Sequence, residues 1–196
     1  RIDVCSSVLP PHLPDVLSHI AACTRLTQLQ LILGYKQQEQ VAVDLCQYLS
    51  SLHKLQNLNV FFRGDATYWG GQIQHLRPLT SLTELEIGSL EDLFDGCTYS
   101  HMTGGDVSLP DAAITASLSQ LPQLQCLCVP VRDIKTLEVV GGLKELRCLS
   151  AKSLPREACA WTDLSHLYGL KKLTELHGFE KCSQTLIAQF WDAVHA

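Results

Sequence analysis

The sequence has few charged residues and few large apolar residues other than leucine. Charged residues make up 18% of the 196 residues, below the roughly 25% of ordinary globular domains, while Met occurs once and Phe five times. No run approaches the ~18 consecutive apolar residues that span a bilayer, so we expect no membrane contact. The net charge of −5 argues against a broad nucleic-acid footprint. With 46% apolar residues, the chain is expected to fold rather than remain disordered.

The cysteines do not form a disulfide pattern. Their number, nine, is odd, and Cys23 and Cys46 stand where the flanking pattern calls for an apolar residue. We therefore expect reduced thiols and a cytoplasmic location, with the cytoskeleton or a cilium as the alternative. The sequence begins at Arg1 with a strand-like pattern already in residues 1–4, so we expect a fragment of a longer chain; a removed signal sequence stays open.

A short pattern of the form L-x-x-L-x-L recurs along the chain, in which leucine accounts for 34 of the 196 residues. Strong and weaker copies occupy residues 26–31, 55–60, 82–87, 124–129, 146–151 and 173–178, and residues 2–4 match the tail of a further copy. The first strand residues are predicted to be Ile2, Leu29, Leu58, Leu85, Leu127, Leu149 and Leu176. Such short strands cannot bury their apolar face alone, so neighbouring repeats are expected to stack into a continuous core.

In period and form this pattern resembles the leucine-rich repeat, because most steps between the copies are 27 to 29 residues long. The resemblance covers essentially the whole chain. It implies an α/β leucine-rich-repeat solenoid, a horseshoe with parallel strands on the concave face and helices on the convex face. The repeat length is closest to the ribonuclease-inhibitor-like and F-box-associated types. We expect residues 1–196 to form a single domain of about seven repeats.

The segments between the predicted strands have helical periodicity. Apolar residues fall on one helical face within residues 13–21, 41–49 and 186–194, with shorter patterns at 114–121 and 164–167. The one long step, from Leu85 to Leu127, predicts an insertion within residues 88–109, which is rich in acidic residues and glycine. Insertions of this kind lie on one face of a solenoid and often bind. A mobile acidic loop without a function is the reading that we favour.

Side chains that alternate with the buried strand positions are predicted to line the concave face. They are mostly amides and carboxylates, which suits a protein recognised through polar contacts, or a basic partner near Glu84 and Glu86. An ordinary solvated sheet face is the alternative. The predicted concave-face binding residues are Asp3, Gln28, Gln30, Asn57, Asn59, Glu84, Glu86, Ser150 and His177.

Aromatic residues follow the third predicted strand. Phe61 and Phe62 end that strand, and Tyr68 and Trp69 precede the next helical segment. Clustered Tyr and Trp are typical of binding hot spots. The alternative is that they cover the end of the core beneath an irregular loop. On the first interpretation, Phe61, Tyr68 and Trp69 are loop residues of the binding surface.

Three cysteines are predicted to lie close together, but we expect no metal and no cofactor. Cys126 and Cys148 share an offset on neighbouring strands, Cys128 points to the same side, and Cys97 and His101 of the insertion could fold over them. The Cys-x-Cys spacing differs from the C-x-x-C knuckle of structural zinc sites. Plain thiols are therefore the favoured interpretation.

The sequence contains no phosphate-binding glycine loop, zinc-protease motif or nucleophile elbow, so we do not expect an enzyme. The resemblance to leucine-rich repeats implies a protein-protein interaction module with protein partners and with neither nucleic acid nor membrane as a ligand. Two alternatives stay open. One is the substrate-recognition domain of a ubiquitin-ligase adaptor of the F-box type, and the other is a structural scaffold in a cytoskeletal or ciliary assembly.

Overall fold

Within the residues that the structure describes, seven strands form one parallel sheet whose order is the order of the chain. The computed structural model describes residues 1–6, 13–33, 47–62, 76–89, 118–129, 134–151, 163–179 and 182–196. The strands are β1 (Ile2–Ser6), β2 (Gln28–Leu33), β3 (Asn57–Phe62), β4 (Glu84–Ser89), β5 (Cys126–Val129), β6 (Cys148–Ala151) and β7 (Glu175–His177). Because each strand is parallel to the one before it, every connection must cross back along the sheet before the next strand begins.

The pairing register of the sheet is the one that the sequence pattern predicts. The predicted first strand residues pair across all seven strands, as Ile2, Leu29, Leu58, Leu85, Leu127, Leu149 and Leu176. In β2 to β6 these leucines are buried, and so are the apolar residues two positions later. This arrangement confirms an α/β leucine-rich-repeat solenoid, since stacked L-x-L strands share one continuous core.

Buried apolar residues, mostly leucines, recur at every third position before strands β3 to β7. Before β3, Leu52 donates a backbone hydrogen bond to Leu49, and Leu55 donates one to Leu52. Hydrogen bonds between residues three apart impose about three residues per turn, so every third side chain points the same way. The corresponding turns before β4 to β7 carry the same bonds, and their apolar residues are buried as well.

One backbone carbonyl in each turn accepts two N–H groups from the next repeat. The Thr27 carbonyl accepts from Gln56 and Asn57 at 2.8 and 3.0 Å, and the Gln56 carbonyl accepts from Thr83 and Glu84. The same pair of bonds joins each later repeat to the one after it. These bonds fix the register immediately before the strands, and therefore also fix which side chains stand opposite each other on the sheet.

Helices in the connections bury one face against the same core as the strands. The helices whose bounds are described are α1 (Leu13–Ala22), α2 (Ile134–Val140) and α3 (Gln184–His195), together with a 3-10 helix at Ser165–Leu167. Leu17 and Ile20 of α1 are buried in that core, as predicted. The sequence pattern did not indicate α2, which has only seven residues. The described helices lie on the core side. We call the opposite side of the sheet the open face, because the side chains that begin strands β2 to β7 are exposed or half-buried there.

Helix α3 covers the core at the C-terminal end. Phe190 and Val194 are buried, and the Phe190 ring packs near the rings of Tyr168 and Trp191 with centroids 6.2 and 5.0 Å apart. Ser183 begins the helix, because its hydroxyl accepts a hydrogen bond from the backbone N–H of Leu186 at 3.1 Å. The predicted apolar helix is therefore confirmed, with a polar N-cap that ends the preceding turn.

Helices of the described ranges are all too short and too polar to cross a membrane. Most of the predicted insertion, residues 90–109, lies outside the described residues, as do residues 41–46 of the second predicted helix.

Cys23 corrects an expectation: it is exposed rather than buried, because it lies in the turn after α1, where its thiol contacts the His19 carbonyl at 3.4 Å.

Candidate functional site on the open face of the sheet

Two rows of side chains cross the open face in register. Successive side chains of a strand point to opposite sides of the sheet, so the neighbours of each buried leucine face away from the core. The first row is Gln28, Asn57, Glu84, Cys126, Cys148 and Glu175. The second row is Gln30, Asn59, Glu86, Cys128, Ser150 and His177. The structure therefore brings eight of the nine predicted concave-face residues onto one surface.

The rows differ in how far their side chains reach solvent. Gln28 and Glu84 are exposed, whereas the side chains of the second row from Gln30 to Ser150 are half-buried. His177, at the end of that row, is exposed. Only the backbone of Asp3 is described, and it pairs with Gln30. The first row is therefore the more accessible of the two.

Strands β2 to β4 present an amide and carboxylate surface. The Asn57 amide donates a hydrogen bond to the Glu84 carboxylate across the β3–β4 pair. Glu84 and Glu86 stand on the same strand and the same face, so their negative charges are close together. Such a surface can accept hydrogen bonds from Lys, Arg or amide donors of a partner.

Strands β5 to β7 carry different side chains from those of β2 to β4: here thiols lie beside a carboxylate and an imidazole. Cys126 and Cys148 are directly paired neighbours, and the Cys148 thiol is hydrogen-bonded to both Cys126 and Glu175. Burial raises the pKa of Cys126, and it raises the pKa of Cys148 to about 12, with smaller contributions from Cys126 and Glu175. The thiols are thus protonated, and poor nucleophiles, at neutral pH.

Glu175 and His177 complete this end of the open face. They are two residues apart on β7, and their Oε2 and Nε2 atoms are 3.6 Å apart. A sulfur of Cys148, a carboxylate oxygen of Glu175 and a ring nitrogen of His177 lie within 4.8 Å of one another. The sequence pattern predicts His177 on the concave face and Cys148 beside Cys126. Cysteine spacing alone does not link either residue to Glu175, because that contact depends on the register between β6 and β7.

Phe61 corrects the prediction of an exposed aromatic anchor. It lies inside strand β3, paired with Ile32 and Gly88, and its side chain is only 2% exposed. It is placed on the open-face side and is not part of the leucine core. A side chain this enclosed cannot present its ring to a partner. Tyr68 and Trp69, like Cys97 and His101, lie outside the described residues.

No family model matches the chain, and no curated protein matches it either. Among solved structures it is similar to an internalin from Listeria monocytogenes, with a TM-score of 0.41 and 19% identity. That alignment covers 85% of this chain and 49% of the internalin, so the chain spans about half of the internalin's length. The fold assignment rests on the strand register and the leucine core.

Proposed function

We propose that this chain is a protein-interaction module that binds a protein partner on the open face of its sheet, without catalysis. The observation that carries the proposal is the pair of in-register rows, which run from β2 to β7 and place exposed or half-buried hydrogen-bonding groups at regular steps. Parallel strands of adjacent repeats lie about 4.8 Å apart, so these groups form an extended, rigid array. Solenoids commonly use such surfaces for binding.

The chemistry of the rows defines the class of partner. Glu84, Glu86 and Glu175 place carboxylates on the surface, and the strand positions of the two rows include neither Lys nor Arg. Partner side chains that donate hydrogen bonds, above all Arg and Lys, complement this surface. We therefore propose a partner with a basic or amide-rich contact face, and we expect its association to slow as salt concentration rises.

Two more specific roles can be proposed for this protein-interaction module. A repeat of the ribonuclease-inhibitor-like or F-box-associated type in a cytoplasmic chain suits an adaptor that presents substrates to a ubiquitin ligase. That version predicts that the bound partner becomes ubiquitinated. A scaffold of the cytoskeleton or a cilium predicts instead several partners contacting the helix side.

Charge reversal on the open face tests the proposal. The test variant is Gln28→Arg, Asn59→Arg and Glu84→Arg, which adds three cations to strands β2 to β4. The matched control is Gln47→Arg, Gln120→Arg and Asp192→Arg, which changes formal charge equally at exposed positions outside the sheet. The measurement is partner recovery by each purified protein from native lysate, quantified by mass spectrometry.

We expect partners of the wild-type chain to be recovered by the control and lost with the open-face variant. Circular dichroism must show that both variants keep the wild-type fold. If the folded open-face variant retains the partners and the control loses them, binding occurs on the helix side and the proposal is wrong.

A further inference from the structure

Three side chains able to bind a metal, Cys148, Glu175 and His177, converge at the β5–β7 end of the open face, and Cys126 is paired with Cys148 on the neighbouring strand. We propose that Cys126, Cys148, Glu175 and His177 form a zinc-binding site. This inference goes beyond the proposed protein partner, because it concerns a different ligand, although the four side chains stand in the same rows of the open face. It also departs from the expectation of no metal, which was based on the cysteines alone.

Strand register creates the site from residues far apart in sequence. Cys126 pairs with Cys148, and Cys148 pairs with Glu175, so three side chains stand in one row on three adjacent strands. His177 lies two residues after Glu175 on the same strand, and it therefore faces the same side. The ligands are spaced by repeat lengths, which explains why the set contains no short cysteine motif.

Three of the side chains already lie near the spacing of a tetrahedral centre. Zinc bonds of about 2.0–2.3 Å to N, O and S ligands place neighbouring ligand atoms roughly 3.3–3.8 Å apart. The His177 nitrogen and a Glu175 oxygen are already 3.6 Å apart. The atoms offered by Cys148, Glu175 and His177 all lie within 4.8 Å of each other. Cys126 is paired with Cys148 on the neighbouring strand. Closing the site therefore requires the Cys126 side chain to rotate toward Glu175 and His177.

The donor set favours zinc over other common ions. Two sulfurs, an imidazole nitrogen and a carboxylate oxygen are the mixed donors that Zn²⁺ accepts with four-coordinate geometry. Mg²⁺ and Ca²⁺ prefer oxygen ligands only. The two cysteines are half-buried whereas Glu175 and His177 are exposed, so the ion can enter from solvent and then be held against the sheet. Binding releases the thiol protons to solvent and leaves two Zn–S bonds.

Cobalt substitution tests the site directly. The full chain is purified under reducing conditions, stripped of metal, and titrated with Co²⁺ and then with Zn²⁺. We expect one Co²⁺ per chain with a thiolate-to-cobalt charge-transfer band and tetrahedral d–d bands, all of which Zn²⁺ abolishes. Cys148→Ser and His177→Gln should each weaken Zn²⁺ binding by more than ~100-fold, since loss of a second-shell partner alone costs ~10–100-fold.

Two control variants remove similar groups elsewhere in the described chain. Cys128→Ser removes the remaining open-face thiol of β5, and His19→Gln removes an exposed imidazole of α1. Both should bind Zn²⁺ like the wild type, and all metal-free variants should melt cooperatively at a temperature near that of the wild type. The proposal is wrong if Co²⁺ gives no charge-transfer band, or if the only reaction seen is oxidation to a Cys126–Cys148 disulfide. It is also wrong if the Cys148→Ser and His177→Gln variants bind Zn²⁺ as tightly as the controls.

Discussion

Gly178 ends strand β7 in a backbone conformation that other residues rarely adopt. Its φ is 85°, and a Cβ at this position would lie 1.7 Å from the carbonyl oxygen of Ala151 on the neighbouring strand. The last repeat can therefore approach β6 only because residue 178 has no side chain.

Replacing Gly178 with alanine should destabilise the chain. Gly178→Ala is expected to lower the free energy of unfolding by more than ~1 kcal/mol, because the left-handed backbone and the contact with Ala151 both oppose a Cβ. Urea denaturation followed by circular dichroism measures the change. Gly169→Ala is the control, since its Cβ meets the flexible end of Lys144, which can move. Equal losses for the two variants would contradict this account.

Cys148 provides a second test at the scale of one residue. Burial raises the pKa of its thiol to about 12 in the metal-free protein. Because only the thiolate is alkylated, its reaction with iodoacetamide at pH 8 should be at least ~10-fold slower than that of exposed Cys23. The rate should rise as pH approaches the pKa. Peptide mass spectrometry resolves the two sites, and equal rates at pH 8 would show that Cys148 is not shielded.

The strands and helices differ in how clearly the sequence pattern predicts them. The strands could be predicted with their register, because L-x-x-L-x-L recurs and the leucine positions alone define the buried side. Helix α2 could not, because Ile134–Val140 is two turns long and rich in β-branched residues, a composition also typical of strands. Phe61 was misplaced since a strand-end aromatic gives no local sign of enclosure.

At the scale of one element, Ser183 should stabilise helix α3. Its hydroxyl accepts the Leu186 N–H, so Ser183→Ala is expected to lower the free energy of unfolding by about 0.5–2 kcal/mol. Ser183→Asp restores an acceptor at the cap and should recover most of this loss. Thermal melts of the three proteins make the comparison. If Ser183→Asp is no more stable than Ser183→Ala, the cap does not stabilise the helix.

Across the whole molecule, stability depends on the continuous leucine core. Leu58 lies on β3, between buried leucines of β2 and β4, and has no exposed surface. Leu58→Ala should cost about 2–5 kcal/mol through lost burial and the cavity left behind. The change is measured by denaturant unfolding, with exposed Gln28→Ala as the control, expected within about 0.5 kcal/mol of wild type. A loss below 1 kcal/mol would mean that the register is wrong.

The candidate site could be predicted in part at this scale. Register alone placed Gln28, Glu84 and the other row residues on one face, which the strand pairing confirms. The junction of Cys148, Glu175 and His177 was not foreseen, because it depends on side chains of different repeats meeting across the sheet. Repeat periodicity predicts which face of the sheet a residue occupies. Which side chains meet on that face depends on the residue type that each repeat carries at that position.

Site-specific photo-crosslinking can locate the surface on which a partner protein binds. A photoreactive amino acid is placed at Gln28 or Asn59 on the open face, and at Gln47 or Gln120 outside the sheet, and each protein is irradiated in native lysate. The account predicts that a partner protein is crosslinked from both open-face positions and from neither control position. Crosslinks from the control positions alone would contradict it and would move the binding surface to the helix side.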